Sequence, residues 1–255
     1  MRLSFSTSLL AFYAVGIQQA LAAPALDDLD GIETGMEALN ITKSLVARAA
    51  GDTQNNPILA DLTVTGQSQL PFDADCYAIL CLGAPDVFQR VDHKQDTINR
   101  RRAGTCRSPF KKNRQKLTLP APYPTWGNGQ HFDSPEEFPF ASTSQGGPGA
   151  YLIPVNLASQ SAQGGVLSTF LRKNNVKMFN PKSTDPNAAD GTWYKIKNWK
   201  GDLGPYCTAL MKSPPDTSVC KATSITAGDW GFDIGNFVYQ LDSAGKTFKP
   251  VPKKP

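Results

Sequence analysis

Residues 132–165 (FDSPEEFPFASTSQGGPGAYLIPVNLASQSAQGG) restrict the fold of this chain more than any other stretch, because they dictate where the backbone extends, where it turns and where charge is held. Three acids, Asp133, Glu136 and Glu137, lead into the apolar Phe138-Pro139-Phe140-Ala141. Gly146-Gly147-Pro148-Gly149 then demands a turn, since glycine supplies the backbone angles and proline the rigidity that turns use. Residues 150–155 read as a short apolar strand. Residues 164–174 place Val166, Leu167, Phe170 and Leu171 on one face, which predicts a short helix packed under that strand. Carboxylates beside a proline-stiffened apolar anchor, followed by amide side chains at a helix start, suit metal-assisted hydrolysis of a phosphate ester.

The rest of the chain is read around that stretch. A hydrophobic content of 40% over 255 residues is enough for a real core and excludes wholesale disorder. The 21 glycines and 20 prolines point to short elements joined by loops rather than to a helical bundle. Residues 57–66 alternate as a strand, and residues 76–81 read as a compact apolar loop or a turn of helix. Residues 86–103 read as an amphipathic helix, or a strand leading into one, with Val87, Val91 and Ile98 apolar. Residues 117–131 form a Pro/Gly/aromatic loop, and residues 176–179, 193–199 and 236–241 read as short strands. The expected class is α+β, with one small mixed sheet, short helices and disulfide staples.

Residues 1–22 carry the marks of a secretory signal peptide: Met1-Arg2, an apolar run from Leu9 to Ile17, and Ala20-Leu21-Ala22 before the cut. Residues 23–50 are small and acidic, and read either as a propeptide processed near Arg48 or as a tail that stays attached. The sequon Asn40-Ile41-Thr42 falls in this segment. Residues 51–255 are then a single domain with a C-terminal extension. No stretch reaches the roughly 18 apolar residues a membrane helix needs, so the expectation is a secreted, extracellular monomer without a membrane partner.

Five cysteines in such a chain read as disulfides. Cys207 and Cys220 bracket a proline-containing loop and are expected to pair with each other. That leaves Cys76, Cys81 and Cys106, one of which must stay outside any intrachain pair. No CxxC spacing occurs and His93 and His131 are the only histidines, so zinc is not the expected metal.

Loss of residues 1–48 would remove three basic and five acidic residues and raise the net charge from +4 to about +6. The densest basic run is Arg100-Arg101-Arg102, followed by Arg107, Lys111, Lys112, Arg114 and Lys116. One reading is a solvated basic face; beside an acid cluster the better one is a track for a phosphate backbone.

The block Glu136-Glu137-Phe138-Pro139-Phe140-Ala141-Ser142-Thr143, followed by Gly146-Gly147, Pro154 and Gln163-Gly164, resembles the NucA/NucB deoxyribonuclease domain in its fungal secreted form. Val91-Asp92 to Arg100-Arg101 also resembles the family's hydrophobic-Asp, spacer, Arg-Arg segment, so the likeness covers roughly residues 75–175. It implies a reduced ββα-metal nuclease core and an endonuclease that cuts DNA with Mg²⁺ or Mn²⁺. Glu137 falls where the general base is expected, with Glu136 supporting it or reaching the metal. Gln160, or instead Asn156, would supply an amide oxygen. Arg100 and Arg101 would clamp the backbone, with Gln163 and Asp133 as further substrate contacts. The chain departs from the family at Glu136, where an Asp is usual, and at Ser159-Gln160, where the family has an acid and an Asn. A second reading follows from that departure: a relative that binds polyanions as a secreted effector without turning them over.

Overall fold

The computed structural model describes residues 49–107, 110, 131–221, 230–245 and 247–253. The chain divides into two units, Met1–Ala47 and Arg48–Pro255, and the second carries the fold set out below. The expected signal peptide, the sequon, nearly all of the propeptide segment, the loop at 117–130 and the cations Lys111, Lys112, Arg114 and Lys116 lie outside the described residues.

In chain order the elements are β1 (Ile58–Val64), α1 (Gln69–Leu82), β2 (Val87–Gln89), α2 (His93–Ala103), β3 (Ser134–Phe138), β4 (Tyr151–Val155), α3 (Leu157–Lys173), α4 (Pro186–Ala189), β5 (Trp193–Gly201), α5 (Pro205–Leu210), β6 (Tyr239–Leu241) and β7 (Phe248–Pro250). β1 buries Ala60, Leu62 and Val64 and exposes the residues between, the period of a strand with one face on a core. The single mixed sheet expected from sequence is two sheets. The first has the order β1-β5-β2, with β1 parallel and β2 antiparallel to β5. The second is antiparallel throughout, in the order β3-β4-β6-β7. Phe88, Phe138, Phe140 and Tyr194 join the two sheets, with ring centroids of Phe88 5.4–5.7 Å from the other three. The two phenylalanines of the Phe-Pro-Phe block are therefore core anchors, as expected.

α1 corrects the reading of residues 76–81 as a loop or single turn. It runs for 14 residues, of which 11 are buried, so it has no polar face to give it an amphipathic signature. α3 likewise starts seven residues before the predicted helix. Asn156 caps it, its side-chain oxygen accepting from Ser159 N at 2.8 Å. Ser159, Ser161, Gly164 and Gly165 are weak helix formers and hide its first turns. Residues 176–179 are irregular rather than a strand. Among the described residues no helix is long and apolar enough to cross a membrane.

The expected Cys207–Cys220 disulfide is not formed. Cys76 pairs with Cys207 and Cys81 with Cys220, across sequence separations of 131 and 139 residues. The reason is spatial: α5 and the short helical turn Thr217–Lys221 both pack on α1, so each presents its cysteine to that helix rather than to the other. Asp73, one turn before Cys76, grips the same partner by accepting from Cys207 N at 2.8 Å. A Cβ at Gly204 would lie 2.3–2.6 Å from the Asp73 carboxyl group, so only glycine permits this approach.

Candidate active site

Both glutamates of the Glu-Glu-Phe-Pro block stand on β3, the edge strand of its sheet, and are 4% and 5% exposed. Neighbouring strand residues face opposite ways. Glu136 therefore meets α3, where its Oε1 accepts from Gln163 Nε2 at 2.9 Å, while Glu137 meets the turn after α2, where it accepts from the Thr105 hydroxyl. A cavity of about 320 Å³ is lined by both carboxylates together with Arg100, Ser142, Gln160 and Gln163.

The cavity's positive wall is built by local rules. Asp92 caps α2 by accepting from Gln95 N at 2.7 Å. Asn99 donates from Nδ2 to both Ala141 O and Thr143 O at 2.8 Å and so straps α2 to the loop after β3. Arg100, the next residue, is thereby placed on the cavity, its Nε paired with Asp96 Oδ1 at 3.0 Å. Gly147, at φ +97°, packs against Asn99 so closely that a Cβ would sit 3.0 Å from Asn99 Oδ1.

Burial is the main reason that both glutamates hold protons far above the ordinary carboxylate range. For Glu136 the Gln163 hydrogen bond and Arg100 oppose the shift, and the Glu137 charge adds to it. Glu137 is pushed up to about 7, with Thr105 and Arg100 pulling the other way. Two more acids behave alike through burial. Asp73 is raised to about 7. Asp75 is raised well above its usual value by desolvation and by Glu136 nearby. In all four, the folded state keeps protons that the unfolded chain releases from about pH 4 upward. Stability is therefore lost as pH rises through about 7 for Asp73 and Glu137 and about 8 for Glu136. In chelator-containing buffer the melting temperature is expected to be higher at pH 5 than at pH 8 by at least about 5 °C; a flat or rising profile would show these carboxyl groups to be compensated.

Of the residues singled out from sequence, Glu136, Glu137, Arg100, Gln160 and Gln163 come together on the cavity. Asn156 does not: its side-chain oxygen is used in capping α3. Arg101 lines a separate groove with Arg102, Pro148 and Leu241, and Asp133 is absent from the cavity wall. Gln160 has its oxygen engaged by the Ser134 hydroxyl and its nitrogen by Pro135 O at 2.5 Å. Sequence reasoning missed Thr105 and Asp75; an acid within the apolar run Pro71-Phe72-Asp73-Ala74-Asp75-Cys76-Tyr77 was the available signal for the second.

The donor chemistry can be set against the needs of a divalent cation. Among the described residues no group of three or more His, Cys, Asp and Glu side chains is placed to hold one. Yet Glu137 Oε1 is buried without a hydrogen-bond partner, beside a second buried carboxylate. Gln163 directs its nitrogen to acids and keeps its carbonyl oxygen. An all-oxygen set of this kind fits Mg²⁺ or Mn²⁺.

Residues 75–179 match the family model for deoxyribonuclease NucA/NucB. The NucA/NucB match begins at Asp75 in α1 and takes in α2, β3 and α3, the elements that contribute to the cavity wall. It supports a nuclease that hydrolyses DNA. No curated protein and no solved structure gives a match to this chain.

Proposed function

We propose that the protein is a secreted, metal-dependent endodeoxyribonuclease that hydrolyses phosphodiester bonds of DNA without regard to sequence. The observation that carries the reading is the pair of buried carboxylates, Glu136 and Glu137, on a cavity whose wall also holds Arg100. The order β3-β4-α3 supports a reduced ββα-metal core, and the two disulfides support an extracellular setting.

Glu137 is the general base. Held near pH 7 with Oε1 lacking a partner, it takes a proton from water while the water oxygen forms the new bond to phosphorus. The bond from phosphorus to the leaving sugar oxygen breaks, and that oxygen is protonated from solvent. Glu136 and the carbonyl oxygen of Gln163 would hold the Mg²⁺ or Mn²⁺ ion, which when bound neutralises charge on the phosphate and leaving oxygen. Arg100 contacts a phosphate, a contact that carries no base information. Arg100→Ala is therefore expected to weaken DNA binding and to lower the salt slope of log K by about one. An unchanged slope removes Arg100 from the phosphate contact.

A second reading, a polyanion-binding effector without turnover, is favoured by Gln160, whose amide is fully engaged within the protein. Incubating the purified protein with supercoiled plasmid and Mg²⁺ or Mn²⁺, with and without chelator, separates the two. Chelator-sensitive nicking is expected; retention of plasmid without nicking supports the effector.

A further inference from the structure

We propose that Asp75 is a positioning residue for Glu136, acting through the side-chain amide of Gln163. The inference rests on the nuclease reading above and adds a residue that never touches the DNA.

Asp75 is fully buried in α1 and is not part of the cavity wall. A carboxyl group in an apolar helix interior costs stability unless its partners offset the loss of water, and an apolar side chain of similar size would pack there without that cost. Its neighbour Asp73 has a structural role, holding α5 through Cys207 N. Nothing comparable occupies Asp75, because its Oδ1 accepts nothing among the described residues and its Oδ2 accepts only from Gln163 Nε2, at 3.0 Å.

Gln163 Nε2 therefore gives one hydrogen to Asp75 on α1 and the other to Glu136 on β3, at 2.9 Å. A side-chain amide is nearly symmetric in shape and chooses between its two orientations by its hydrogen-bond partners. An acceptor on either side of Nε2 leaves one orientation: nitrogen toward both acids, with the carbonyl oxygen as the remaining polar atom of a residue that lines the cavity. Without Asp75 only one acceptor remains. The amide can then rotate, loosen Glu136 and turn its oxygen toward a carboxylate.

The test compares Asp75→Asn, which can still present an oxygen to Gln163, with Asp75→Ala and Asp75→Leu, which cannot. Two apolar variants are made so that a folding failure in one leaves the other, with folding checked by thermal melt. Asp75→Asn is expected to stay within about threefold of wild-type plasmid cleavage. The apolar variants are expected to lose about 10–100-fold in kcat, with KM and DNA affinity unchanged. In a Gln163→Ala background the same Asp75 substitutions should cost nothing further, because the link is already cut. Wild-type kcat in the apolar variants, or a full additive loss in the Gln163→Ala background, overturns the proposal. A readout independent of cleavage is hydrogen exchange of the Gln163 side-chain amide by NMR, slow in wild type and Asp75→Asn and fast in the apolar variants. If the wild type cuts no DNA, the nuclease reading falls and this exchange decides: equal rates in all variants overturn the bridge, and slow exchange lost only without an acceptor at 75 sustains it.

Discussion

Glu137→Gln is expected to lower DNA cleavage by about a thousandfold while leaving DNA affinity within about twofold of wild type. Glutamine keeps the shape of the side chain and an oxygen for the Thr105 hydroxyl, so β3 and the cavity wall stay in place. What it lacks is a site that can take a proton from water. The substitution also removes a buried charge, so the metal-free variant should melt higher than wild type at pH 8, where the Glu137 carboxyl group is largely ionised. The combination is diagnostic, because a loss of activity through unfolding would move stability the other way. Plasmid nicking, fluorescence anisotropy with a labelled duplex and a thermal melt check the three parts. Nicking at the parental rate would remove Glu137 from the role of base.

The second large effect is on stability. Replacing Cys76 and Cys207 together by alanine is expected to cost about 3 kcal/mol: with Cys81–Cys220 intact, the bond restrains the unfolded chain only over the short path through residues 76–81 and 207–220. For a folded unit of this size that is a fall of roughly 6–12 °C in melting temperature. The bond is buried between α1 and α5, where Tyr77 and Tyr206 also stack edge to face at 4.8 Å, so little of the loss can be recovered by local repacking. Peptide mapping of the oxidised protein provides the companion check: fragments joining Cys76 to Cys207 and Cys81 to Cys220 are expected. Recovery of a Cys207–Cys220 fragment, or a double variant that melts with the wild type, would refute the pairing.

What could be read from sequence divides along physical lines. β1 and β5 were legible because a strand with one buried face alternates, β4 because it is a short apolar run after a glycine-rich turn, and the passage from β2 into α2 because Val87, Val91 and Ile98 stand apolar in a charged segment. α1 was not, since a helix buried all round offers no periodicity. The Glu-Glu-Phe-Pro block located the cavity correctly, yet Arg101 could not share it with Arg100: consecutive residues on a helix lie about 100° apart and face different grooves. Asn156 looked like a ligand because capping and coordination both call for a side-chain oxygen next to a helix start. Asp75 was invisible as part of the site because its link to Glu136 passes through Gln163, 88 positions away in sequence.

The two disulfides and the strand order decide how far the matched segment can be transplanted. Cys76 and Cys81 lie inside the NucA/NucB match, but their partners lie beyond residue 179, as do β5 and β6. A fragment trimmed to the matched residues would expose the edges of β2 and β4 and carry two thiols with their mates deleted. The cavity is thus held by annexation rather than carried as a module: any graft of it has to bring the flanking scaffold along.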